Sequence, residues 1–206
     1  MQVESQTPLD RFMAALAASD LSEADSDERM EALAQELAPT AEGPLLPFLA
    51  ASDIDQRWWT VRALALIGSG QTAPPLAGRL DDDDAGVRAA ACLALGALHS
   101  RAPDAVDPWL PALALRLTDE EGFVRQAATD ALAQCGDAAV PALAQVLAES
   151  HDGARTRATI ALRKIGTIRA AGVLFQLLND ANYLVRAYAY EALDEMGFLE
   201  QVYFKP

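Results

Sequence analysis

Histidine and cysteine are nearly missing from this chain. Its 206 residues hold two of each, His99 and His151, Cys92 and Cys135. Neither histidine forms a spaced pair with the other or with a cysteine, which argues against a zinc site. Two cysteines in alanine-rich surroundings read as reduced thiols, not as a disulfide framework. Aromatic residues are scarce, and basic residues are outnumbered, 16 against 30 acids, for a formal net charge of −14. A field of that sign repels phosphate backbones and speaks against nucleic-acid binding. No apolar run approaches the roughly 18 residues of a membrane span. The start, MQVESQTPLD, has neither the basic residue nor the apolar segment of a cleaved signal. Together these absences predict a soluble cytoplasmic protein.

Catalytic motifs are missing as well. There is no glycine-rich phosphate loop, no nucleophile elbow and no Cys/His couple placed by sequence. No catalytic residue, cofactor or metal site is therefore assigned. The acidic run Asp81 to Asp84 lacks the spaced ligands and closing glutamate of a calcium hand. It is read as helix capping and solvated surface.

What the chain has is repetition. Arg57, Arg88, Arg125, Arg155 and Arg186 recur at spacings of 31, 37, 30 and 31 residues. Eleven residues after each comes Gly68, His99, Gly136, Gly166 or Gly197, mostly the glycine expected just past a helix end. Leu49, Leu80, Leu117, Leu147 and Leu178 repeat the same series of spacings independently. Four residues before them stand Leu45, Leu76, Leu113, Leu143 and Leu174. The longer interval falls around HSRAPDAVDPW and predicts a proline-bearing loop.

Each repeat reads as helix, turn, helix. Asp53, Asp84, Asp152 and Asp180 stand where the first helix starts and are expected to cap it. Pro74, Pro111 and Pro141 open the second helix, where a missing N–H costs nothing. Leu64, Leu95, Leu132, Leu162 and Leu193 each follow an alanine, a small residue that lets neighbouring helices approach. Counting from each arginine, the apolar columns at −1, +3, +6, +7 and +10 fall on one side of the first helix. The arginine lies off that side and is expected to bond acids or carbonyls of an adjacent repeat.

The pattern VRAAACLALGAL, then AVPALAQVL, resembles a HEAT repeat, in particular the phycobilisome-lyase-like variety, over about residues 43–197. The expected fold is all-α, a right-handed α-solenoid of about five to six HEAT-like helix pairs with N-terminal capping helices. Residues 1–42 form a cap and a degenerate first repeat helix, 43–197 the array, and 198–206 a capping tail, in one continuous domain. In the tail, Phe198, Val202, Tyr203 and Phe204 are expected to fold over the last layer. The resemblance implies a non-catalytic scaffold or interaction protein. It also implies an alternative, a bilin-lyase-like or tetrapyrrole-handling subunit, for which Trp58, Trp59, Trp109, Tyr183, Tyr188 and Tyr190 provide aromatic surface.

Solenoids commonly bind partners along their concave surface. Here that strip is built from Ala112, Leu115, Ala142, Gln145, Val173 and Gln176, with Arg79 and Arg116 near a rim, and suits a protein segment. A local basic patch, Arg155, Arg157, Arg163, Lys164 and Arg169, is a second candidate, for an acidic partner or a phosphate. Trp58 is a third. Its +1 column points away from the core, whereas its neighbour Trp59 packs between layers. Trp58 is either covered by the N-terminal helix, through Phe12, Met13 and Leu16, or is an exposed partner anchor.

Overall fold

The computed structural model describes residues 6–17 and 24–199. They are helical throughout their ordered elements, with no strand among the described residues. The chain divides into two compact bodies, Met1–Val106 and Asp107–Pro206.

The N-terminal body opens with α1 (Pro8–Ala17) and α2 (Ala24–Gln35). Three further features follow. α3 (Glu42–Leu45) runs on as a 3₁₀ turn, Leu46–Ala50. α4 (Ile54–Ile67) is paired with α5 (Ala73–Ala77), which again tightens into a 3₁₀ turn, Gly78–Asp81. α6 (Ala85–His99) packs along α4, and α1 rests on α2 and α4. The inserted loop is not irregular. It forms a short helix, α7 (Pro103–Val106), opened by Pro103 and pinned by fully buried Val106.

The C-terminal body contains α8 (Leu110–Leu115), α9 (Gly122–Gln134), α10 (Val140–Glu149), α11 (Asp152–Ile165), α12 (Ile168–Leu177) and α13 (Tyr183–Glu195). The first helices α9, α11 and α13 stack in order, and the second helices α8, α10 and α12 stack beside them. The repeat columns supply the core. Leu64, Leu95, Leu132, Leu162 and Leu193 are buried without residual exposure, and the alanine before each is buried too. Each such leucine contributes roughly 1.5–3 kcal/mol of transfer free energy. The closing-leucine column holds at Leu49, Leu80, Leu117 and Leu147 but slips at the last repeat, where Leu177 is buried and Leu178 is half-buried.

Helix ends follow local chemistry, with two corrections to the expected caps. Asp53 and Asp84 accept from the Gln56 and Val87 amides as expected. At α11 the cap is His151, whose Nδ1 accepts from the Ala154 amide, and Asp152 is already helical. At α13 the cap is Asn182, which accepts from the Leu184 and Val185 amides. Asp180 instead accepts from the Asn182 amide and turns its other oxygen to Arg155. The prolines sit in the first turn of α5, α8 and α10. Gly136, Gly166 and Gly197 take the left-handed conformation that ends a helix at φ of 58°, 61° and 75°. At the chain end, Phe198 packs edge-on against Phe175, centroids 5.9 Å apart. Val202, Tyr203 and Phe204 lie outside the described residues.

Candidate functional site

The recurring arginines bind first to their own repeat. The Nη1 of Arg57 donates to the Ala51 and Ser52 carbonyls, 3.0 and 3.2 Å away. Arg88 does the same to the Asp82 and Asp83 carbonyls, Arg125 to Asp119 and Glu120, and Arg186 to Asp180 and Ala181. In each case the acceptors lie six and five residues back, so the guanidinium closes the turn that feeds its helix. Arg57 then reaches forward, donating from Nε and Nη2 to the Asp82 carboxylate at 3.0 and 2.8 Å. Arg155 reaches forward to Asp180 in the same way. These two aspartates stand 25 residues after their arginines. They hold successive helix pairs together.

Asp82 is therefore not a solvated member of the acidic run, as the sequence suggests. Its side chain is 2% exposed and that of Arg57 is 7% exposed. Burial alone would raise the Asp82 carboxyl, but the Arg57 guanidinium and the Asp84 amide outweigh it and hold the group below the usual carboxylate range. Asp83 pairs with Arg57 at 2.6 Å, and Asp84 caps α6. Arg79 belongs to the same cluster. It donates to the Leu49 carbonyl and lies 3.3 Å from Asp82. Arg116, its counterpart one repeat later, lies 3.8 Å from Asp119.

The five residues of the basic patch have different surroundings. Arg155 is held by Asp152 and Asp180. Arg163 is held by Glu191 and Glu195, and Lys164 by Asp130. Arg169 is exposed on α12. Arg157 points elsewhere, into a cavity described below.

Trp58 is half-buried and Trp59 is buried, the two rings meeting edge-on with centroids 4.7 Å apart. The Arg62 guanidinium lies 4.9 Å over the Trp58 ring and is itself held by Glu31 of α2 at 2.6 Å. Gly86 of α6 adjoins the indole edge. The cover over Trp58 is thus a cation from its own helix, fastened by α2. α1 meets α4 at a neighbouring point, where Gln56 donates to the Leu16 carbonyl at 3.1 Å, with Phe12 and Leu16 buried beneath.

The second helices of the C-terminal body carry a groove. Pro111, Ala114 and Leu115 of α8 face Ala142, Gln145, Val146 and Glu149 of α10 across a depression of about 120 Å³. Leu115 is 57% exposed there. Gln145 donates to Glu149 at 3.2 Å, which fixes the polar rim. Ala112 lies one turn before Leu115 on α8, and half-buried Val173 and exposed Gln176 stand on α12 with exposed Phe175. Arg79 and Arg116 are engaged by Asp82 and Asp119.

The larger cavity, about 610 Å³, was not foreseen. It is lined by Thr118, Asp119 and Arg125, by His151, Gly153, Thr156, Arg157 and Ile160 around the start of α11, and by Leu184 and Tyr188 of α13. Burial, and next the charge of Arg125, push the Arg157 guanidinium below the ordinary arginine value. The sequence signal for it is Arg157, a cation where the other repeats have Trp59, Ala90, Ala127 and Tyr188.

Among the described residues no group of three or more His, Cys, Asp or Glu side chains is placed to hold a metal. Both cysteines are buried, and burial pushes the Cys135 thiol up to about 12, with Asp107 adding to the effect. It is held as a neutral thiol. Among the described residues no helix is long and apolar enough to cross a membrane.

The HEAT repeats family matches residues 42–116 and 110–194. No curated protein matches the chain. Solved structures do. A designed armadillo repeat protein in complex with the peptide (KR)4 superposes with a TM-score of 0.55 at 20% identity, over 93% of this chain and 100% of that one. The complex of CpcE and CpcF of phycocyanin lyase from Nostoc sp. PCC7120 gives 0.52 at 21%, over 97% and 80%. The Escherichia coli protein YibA gives 0.58 at 17%, over 98% and 80%.

Proposed function

From a chain that belongs to the HEAT-repeat family, we propose a non-catalytic interaction protein that takes a segment of a partner protein along the groove between α8 and α10. The observation that carries this reading is Leu115, an aliphatic side chain left 57% exposed in the depression between two helices. Apolar area of that kind, rimmed by polar groups, is what an anchor side chain from a partner buries. Glu149 stands on the rim, and the whole chain carries −14. The segment that fits has an aliphatic or aromatic anchor with lysine or arginine beside it. The similarity to a designed repeat protein in complex with (KR)4 supports that choice.

The test is a quantitative comparison of proteins recovered by immobilised wild type, Leu115→Glu and Gln145→Glu. Both positions are exposed, so neither substitution disturbs folding. Partners taken by the wild type are expected to fall about tenfold or more with either variant. Equal recovery by all three at equal melting temperature rules the groove out.

A further inference from the structure

We infer that the cavity between α9, α11 and α13 is a binding site for a phosphate monoester, held between Arg125 and Arg157. The site is separate from the groove and stands or falls independently of it.

The reasoning starts from charge matching within the repeat. Arg57 is answered by Asp82, and Arg155 by Asp180. The chain keeps this arrangement where the guanidinium is removed from water, because an unmatched buried cation is costly. Arg125 differs from these two. Its Nη1 donates to the Asp119 and Glu120 carbonyls. The acid of the corresponding column is Glu149, two residues after Leu147 as Asp82 is after Leu80 and Asp180 after Leu178, and Glu149 accepts from Gln145 instead. No acid bonds Arg125 among the described residues.

The chain then adds a second cation instead of removing the first. Arg157 stands in the +2 column, where the other repeats have Trp59, Ala90, Ala127 and Tyr188. It faces the same cavity, close enough to feel the Arg125 charge, and has no bonded partner among the described residues. One carboxylate, Asp119, lines the cavity, but it already accepts from the Glu121 amide at 3.0 Å and lies 3.8 Å from Arg116. The first turn of α11 opens on the same space at Gly153, and its dipole favours negative charge there.

Two guanidiniums without an acid call for an anion with two charges. A phosphate monoester carries about −1.5 to −2 at pH 7 and offers three oxygens to the paired forks. A single carboxylate would neutralise one cation and leave the other. Ile160, Leu184 and Tyr188 form the apolar part of the wall. They suit the carbon skeleton that bears the phosphate. At about 610 Å³ the cavity has the size of a small-molecule site.

The experiment uses the whole chain, phenyl phosphate as the probe, and chloride at equal ionic strength as the control. Binding is read by calorimetry and by the rise in melting temperature that a ligand selective for the folded state produces. Wild type is expected to bind. Arg157→Ala is expected to weaken binding about tenfold or more, as loss of a charge-assisted contact does. Thr156→Glu sets a carboxylate among the residues that line the cavity, so it is expected to abolish binding without lowering the melting temperature of the free protein. This second variant guards against a trivial result, since it keeps the fold while losing the ligand. A phosphoserine peptide, with its unphosphorylated form, is the other arm. Tighter binding of the phosphopeptide than of phenyl phosphate assigns the phosphate to a partner's modified side chain, and equal or weaker binding assigns it to a small molecule. No binding of either probe by the wild type, or binding undiminished in both variants, overturns the inference.

Discussion

Asp82 shows how much one residue can depend on register. Four aspartates in a row look interchangeable, yet one is buried under a guanidinium, one pairs with it at the surface and one caps a helix. Removing the buried one strands Arg57. Asp82→Ala is therefore expected to cost about 3 kcal/mol or more, read as a fall of roughly 10 °C or more in the melting temperature of the N-terminal body. The pH dependence has a definite sign. The folded carboxyl titrates below its unfolded value of about 3.9. Its contribution is complete above that value and is lost as pH falls through the folded one. The gap between wild type and Asp82→Ala should be full at neutral pH and shrink in acid. A gap that widens in acid would contradict the pairing. The sequence shows that Asp82 lies in a turn but not which carboxylate turns inward, because that depends on where Arg57 arrives from the preceding repeat. The same dependence separates Asp180 from Asn182. Either residue can cap α13, and Asp180 is drawn away because Arg155 is within reach.

At the scale of the element, the helix ends differ more than their shared glycines suggest. Gly166 has φ of 61°, and a Cβ there meets the Arg163 carbonyl oxygen at an ordinary 3.6 Å. The cost of Gly166→Ala is then conformational alone, about 1–2 kcal/mol. Gly68 has φ of −62°, which any residue tolerates, but a Cβ would stand 2.5 Å from the Leu64 carbonyl oxygen and 2.8 Å from the Thr72 hydroxyl. Gly68→Ala must displace backbone and should cost more than Gly166→Ala. Melting the two variants side by side checks the order, and Gly166→Asn should recover part of the loss at 166 only. The glycine column was legible as a set of helix stops. That one member is kept for space was not, since the crowding comes from the turn into α5. The second helices teach a similar lesson. Their leucines were placed correctly except at Leu178, while their shortness, with α3, α5 and α8 each passing into 3₁₀ turns, reflects tertiary packing that periodicity does not carry.

For the molecule as a whole, charge is the property that composition states most plainly. A net −14 on 206 residues means self-repulsion in the folded state. Raising ionic strength from about 0.01 to about 0.15 M shortens the screening length from roughly 30 to 8 Å. The melting temperature should rise by a few degrees over that range. A fall would mean that surface pairs such as Arg163 with Glu191 and Glu195 outweigh the repulsion. The family was within reach of the sequence, because repetition averages out local noise. The cavity was not, because Arg157 in its column shows that a cation is present but not that Arg125 lines the same space.

The forward reach of the recurring arginine has a consequence for how such a chain can lengthen. A helix pair carries an arginine for the pair that follows and, two turns of sequence away, an aspartate for the pair that precedes. Arg57 with Asp82 and Arg155 with Asp180 are the same plug and socket. A duplicated pair inserted beside its parent would arrive with both halves of the joint already made. It would mate on either side without a new surface having to be invented. Joints of this kind also leave a record: where the acid of the column turns aside, as Glu149 does toward Gln145, the arginine of that repeat is left with carbonyls alone.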